Sequence, residues 1–138
     1  MASGFSDFLR NAWLKDFAGI ATYNKPATLY YTLHAAAWNP TAIANEFASG
    51  NWARVAVARS DASYGVAANV MSLLADQAGA ELNAIQQAGA NALCWACYDA
   101  PAGGNLLFGG DLSATDQKAY LVNDQWVAKG TTTTLTLT

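Results

Sequence analysis

The sequence predicts a mainly β protein, one antiparallel domain preceded by an amphipathic helix, and three observations predict it. Residues 93–98 and 105–108 are short, uncharged apolar runs around the connector 99–104 (DAPAGG). There Pro101 fixes one backbone angle and the glycines permit positive φ, so 90–112 reads as a β-hairpin. Neither run alternates cleanly between apolar and polar residues, which predicts strands that contact protein on both faces. A buried helix segment would fit the same short runs, but Gly109 and Gly110 do not continue a helix. The second observation is alternation in 27–35 and 52–59. The third is the tail 131–138, Thr and Leu only, whose β-propensity is high and whose bare edge would be a pairing hazard outside a sheet.

Taken in order, Phe5, Phe8, Leu9, Ala12, Trp13 and Phe17 recur at helical spacing, with Ser3 or Ser6 as N-cap, Asp7 near the positive end and Gly19 as C-cap. The spacing predicts Phe8, Trp13 and Phe17 on one buried face. Such a helix either packs on its own domain or docks on a neighbouring subunit. Residues 22–26 are a connector. In strand 27–35, Leu29, Tyr31 and Leu33 share one face, and Tyr30, Thr32 and His34 the other. Residues 36–51 are loop, broken at Asn39-Pro40 and at 49–51, with Ile43 to Phe47 fitting one helical turn. In strand 52–59, Val55 and Val57 point inward and Arg54 faces away, placed to pair with Glu46. Between 60 and 89, residues 66–74 fit a strand or the start of a helix, and 80–88 (AELNAIQQA) predicts a short central helix. After the hairpin come a polar connection (113–124), a small strand (125–128) and a turn at Gly130. In the tail, Leu135 and Leu137 should meet the interior. The threonines 132, 134, 136 and 138 should face outward.

Composition narrows the function classes. Only 12% of residues are charged, about half the usual share, while 53% are hydrophobic. A surface of Ala, Asn, Ser, Thr and Gly suits a protein packed against others. The net charge is −3 and the seven basic residues are dispersed, which argues against nucleic-acid binding. No basic leader precedes an apolar block, and no run of about 18 apolar residues is present, so neither a signal peptide nor a membrane span is expected. Synthesis in the cytoplasm, with Cys94 and Cys97 as thiols, follows.

No catalytic constellation emerges. Cys94-Trp-Ala-Cys97 has redox spacing, but within a strand two residues three apart point to opposite faces and cannot bridge. Zinc would need two more ligands where the chain offers one histidine and no further cysteine. His34 lacks a nucleophile motif, Asp99 and Asp111 read as turn caps, and the Gly-Gly pairs lack the rest of a phosphate loop. No metal or cofactor is expected.

Four ordered segments resemble a family of small bacteriophage virion proteins. Residues 26–36 (PATLYYTLHAA) resemble its first strand, a Pro-Ala-Thr-Leu-Tyr run ending in Leu-His. Residues 45–57 (NEFASGNWARVAV) resemble its Glu-hydrophobic-x-Gly-x-aromatic-Ala-Arg segment. Tyr98-Asp-Ala100 with 103–108 (GGNLLF) is similar to its third block, and 123–130 with the Thr/Leu tail to its end. The blocks span residues 26–138 in the family's order. Between Val66 and Gly89 the chain departs from the pattern, with an Ala/Gln-rich stretch where the family has an alternating strand. Proteins of this kind are described as tail-fibre proteins. The resemblance implies an antiparallel β-sandwich of jelly-roll type in the virion, and it carries no catalytic residues.

The resulting expectation is an N-terminal helix and connector (1–25) on a single sandwich domain (26–138), serving as a non-enzymatic virion structural protein. A capsid decoration, or cement, protein bound to the major capsid protein is the first reading. The alternatives are a tail-fibre component bound to another virion protein, or a carbohydrate-binding receptor module, which exposed Trp38 or Trp52 in a shallow groove would favour. A homo-oligomer is expected, a trimer being one candidate, with no nucleic acid and no membrane as partner. Phe8, Trp13, Phe17, Thr132, Thr134, Thr136 and Thr138 are the expected interface residues.

Overall fold

The computed structural model describes residues 3–130 and 134–136. Its elements are β1 (Ser3–Phe5), α1 (Asp7–Phe17), β2 (Thr28–His34), β3 (Val55–Ala58), β4 (Tyr64–Ala67), β5 (Val70–Leu73), β6 (Gln77–Ala78), a 3₁₀ turn (Gln87–Gly89), β7 (Cys94–Tyr98), β8 (Leu106–Asp111), β9 (Val127–Ala128) and β10 (Thr134–Thr136). They form a five-stranded sheet in the order β1-β8-β7-β2-β3, a three-stranded sheet β10-β5-β4 and the pair β6-β9. Every pairing is antiparallel. Leu29, Tyr31 and Phe108 of the large sheet share one apolar core with Leu73 and Leu135 of the small sheet, so the two pack as a sandwich. The hydroxyls of Tyr31 and Tyr64, 2.8 Å apart, link the sheets.

The predicted hairpin is the β7-β8 pair at the middle of the large sheet, and both of its faces are covered. Ala96, Tyr98 and Leu106 form a second apolar cluster on which Trp38 and Ile43 lie. The turn is held by Asp99, whose carboxylate accepts from the backbone and side-chain N–H groups of Asn105 at 2.7 and 2.8 Å. Gly104 is required there: its φ is +73°, and a Cβ would lie 2.5 Å from Asp99 Oδ1.

The stretch 60–89 resolves in two ways. Residues 64–73 are a hairpin rather than a helix, with Ala68 (φ 48°) and Asn69 (φ 65°) as its two-residue loop, the backbone signature of a type I′ turn. The short helix expected over 80–88 reduces to the 3₁₀ turn at 87–89. Side-chain amides account for the difference. Gln86, fully buried, accepts from Ser49 N–H and donates to Ser49 C=O, while Asn51 and Asn83 each accept the other's backbone N–H at 3.0 Å. These bonds zip 83–86 against 49–51 and compete with helix formation.

Candidate functional site

Two features stand apart from ordinary core packing: a buried polar cluster on one face of the large sheet, and the end of α1 beside a cleft between the sheets.

The cluster is built on Arg54. Its side chain is 5% exposed and holds Glu46 through two parallel bonds, Nε to Oε1 at 2.6 Å and a terminal nitrogen to Oε2 at 2.8 Å. The other terminal nitrogen donates to the carbonyls of Ala100 and Gly103, both at 2.8 Å, and the guanidinium lies 3.9 Å over the Tyr98 ring. Behind Tyr98 lies His34, whose Nδ1 is 3.0 Å from the Ala44 carbonyl and Nε2 3.2 Å from the Tyr98 hydroxyl. A carbonyl can only accept, so Nδ1 carries the proton and Nε2 accepts from Tyr98. Burial pushes the His34 pKa down, partly offset by the Ala44 bond. Burial also opposes the charge on Glu46, but the Arg54 bonds prevail and its carboxyl lies below the usual range. The predicted Glu46–Arg54 pair is therefore present, as a clamp that fixes the β7-β8 turn.

Cys94 and Cys97 are both free and buried. Burial pushes the Cys94 thiol up to about 12, with Asp111 adding to it, and raises Cys97 further. Trp38 is half-buried, over Gly109, where any Cβ would collide with its ring. Trp52 stacks on Trp126 with ring centres 6.0 Å apart and donates its indole N–H to Thr32. Neither presents a shallow open platform. Among the described residues no group of three or more His, Cys, Asp or Glu side chains could hold a metal ion, and no helix is long and apolar enough to cross a membrane.

Helix α1 is capped by Ser6, whose Oγ accepts from Leu9 N–H at 3.1 Å and donates to the Leu106 carbonyl at 2.5 Å. Asp7 in the first turn has its pKa lowered by bonds from Thr41 and Arg10. The expectation of a buried Phe8–Trp13–Phe17 face is corrected. Leu9 is the buried residue, Phe8 and Trp13 are 40% and 38% exposed, and Phe17 is 95% exposed. Helical geometry gives the reason: at about 100° per residue, Phe8 and Phe17 lie about 180° apart, with Leu9 midway. The ring of Phe5 meets Trp13 edge-on at 4.7 Å, and Phe8 meets Tyr23 at 6.5 Å. The last turn carries nothing inward, so Leu14, Phe17 and Ile20 are bare. Leu14 and Phe17 lie one turn apart at the end of α1 and Ile20 follows just past its Ala18 cap, an exposed apolar patch beside the predicted face.

Beside α1 the sandwich opens into a cleft of about 690 Å³. Leu29, Leu107 and Phe108 form one wall and Met71 and Leu135 the other, with Trp13, Tyr23, Val66, Lys25 and Arg59 also lining it. Leu135 is buried, as predicted for the tail's inner face. Thr134 and Thr136 lie in β10 at the small sheet's edge, whereas Thr132, Leu137 and Thr138 lie outside the described residues.

The fold is thus an antiparallel sandwich with a buried arginine clamp on one face and an apolar helix end left bare. The family model for the Podophage GP4 fiber I protein gp80 matches residues 4–138, and the chain belongs to that family of phage virion structural proteins. Comparison with curated proteins gives no match.

Proposed function

We propose that the chain is a non-enzymatic component of a phage fibre, joined to a neighbouring virion protein through the C-terminal half of α1. The observation that carries this reading is the bare apolar end of a well-capped helix with the residues just past it: Leu14 and Phe17 on α1 and Ile20 beyond its cap, at 66%, 95% and 74% exposure. The family description supports the fibre rather than the shell. The non-enzymatic part draws support from what the reactive groups do. His34 is buried against Tyr98 and Ala44, and the thiols are held protonated in the core.

A capsid decoration (cement) protein is the second reading. It is favoured by the compact packing of both sheets into one core, since such a body can lie across capsid subunits. Antibody labelling of particles, read by electron microscopy, separates the two. Label on fibres is expected; label over the shell would establish the cement reading, and particles without the protein would defeat both. A Phe17→Ser, Ile20→Ser variant should fold normally yet enter particles about tenfold less.

A further inference from the structure

We infer that the cleft between the sheets receives Phe17 of a second copy of this chain, in a two-fold pair; this rests on the reading of α1 as the attachment face and names its first partner. The hole and the knob are on the same molecule. The cleft is walled by Leu29, Phe108, Met71 and Leu135, apolar surface suited to an aromatic ring, and Phe17 is an aromatic ring almost wholly in solvent. They are also adjacent, because Trp13 lines the cleft and lies one turn before Phe17 on α1. A two-fold axis near Trp13 sets each copy's Phe17 over the other's cleft and fills both at once, whereas a head-to-tail contact leaves one knob and one hole bare.

Charge complementarity points to the same occupant. Lys25, Arg59 and Asp61 line the cleft, and Phe17 follows Lys15 and Asp16. Asp16 can meet Lys25 and Arg59 of the other copy, and Lys15 can meet its Asp61. Among the described residues, Lys15, Asp16, Lys25 and Asp61 form no ion pair within the protomer. These charges orient the pair and steer its formation.

The test is sedimentation of the purified full chain across a concentration series. The expected result is a monomer–dimer equilibrium that Phe17→Ser and, separately, Val66→Arg at the cleft weaken about tenfold or more. Both positions are exposed, so at concentrations where the monomer prevails the melting temperature should not move. Mixing Phe17→Cys and Val66→Cys proteins under mild oxidation should trap a mixed disulfide dimer, because the native thiols are buried. Three outcomes overturn the inference: a monomer at every concentration, association indifferent to Phe17→Ser, or a Phe17→Cys protein that cross-links only to itself. A monomer whose cleft takes up a fatty acid would assign the cleft to a small amphiphile instead. Particle labelling plays no part in this measurement, so the fibre reading and the pair fail separately.

Discussion

Arg54, just before β3, ties Glu46, the 100–103 turn and the Tyr98 ring together while almost wholly withdrawn from water. Removing one partner of such a pair leaves the other charge stranded, which for a fully buried pair costs about 3–5 kcal/mol. The Glu46 side chain is 29% exposed, so water takes part of the load. Arg54→Met should therefore cost about 2–3 kcal/mol, read from the urea midpoint. A loss under about half a kcal/mol would show that the clamp is ornamental to stability. The same cluster sets an acid limit. The His34 pKa is lowered below its ordinary 6.5, so the unfolded chain takes up the proton first; its contribution is complete above 6.5 and is lost as pH falls from there toward the folded pKa. Glu46 is depressed below 4.5, so its contribution is present above that value and is lost as pH falls through the folded pKa. Melting temperature should fall in two stages on acidification, with His34→Asn abolishing the upper one. The thiols give a simpler check: Cys94 and Cys97 should resist a thiol reagent in the folded protein and both react once it is unfolded, and rapid native labelling would contradict their burial.

At the scale of elements, the β4-β5 hairpin carries a removable cost. Both loop residues have positive φ, which Ala68 adopts with strain and which glycine or asparagine relieves. Ala68→Asn with Asn69→Gly installs the preferred type I′ pair and should stabilise the protein by about 1 kcal/mol; a lower melting temperature would mean that the turn differs from the one described. This hairpin also shows where sequence reading stops. The β7-β8 hairpin and β2 were legible because proline, glycine and unbroken apolar runs mark them locally. Ala-Asn is a weak turn signal, so 64–73 stayed ambiguous. The helix pattern in 80–88 was real as a propensity, but Gln86 and the Asn51–Asn83 exchange overrode it with partners more than thirty residues away. On α1 the apolar count was right and its angular distribution was not, which hid the bare patch. Nothing in a linear pattern marks the cleft, because its walls come from both sheets. The tail is an intermediate case: its strand was legible, its partner β5 was not. Truncation after Gly130 removes Leu135 from the core and should cost at least the 1.5–3 kcal/mol or so of that side chain. A truncated chain that melts unchanged would leave β10 no structural role.

Over the whole molecule, the N-terminal segment and the rest share one core. Strand β1 pairs with β8, Ser6 is bonded to Leu106 and Leu107, and Leu9 belongs to the same apolar cluster as Leu29, Leu73, Phe108, Trp126 and Leu135. That cluster joins residues from positions 9 to 135 across both sheets, so losing any one segment exposes apolar surface on the others. For 138 residues this predicts a single cooperative transition, with total stability in the usual range of about 5–15 kcal/mol. Two signals should follow it together. Far-UV circular dichroism reports α1, and tryptophan fluorescence is dominated by Trp52, Trp95 and Trp126, which are packed in the core or against it. Their urea curves should superimpose, and Leu9→Ala should shift both by the same amount, since Leu9 belongs to the core that the two sheets share. The contrasting behaviour is just as definite. If ellipticity fell first while fluorescence held, α1 would be melting on its own. The Ser6 cap and the Leu9 contact would then be too weak to couple the helix to the sheet, and the knob at Phe17 would lose the rigid mount on which its fit to a second copy depends.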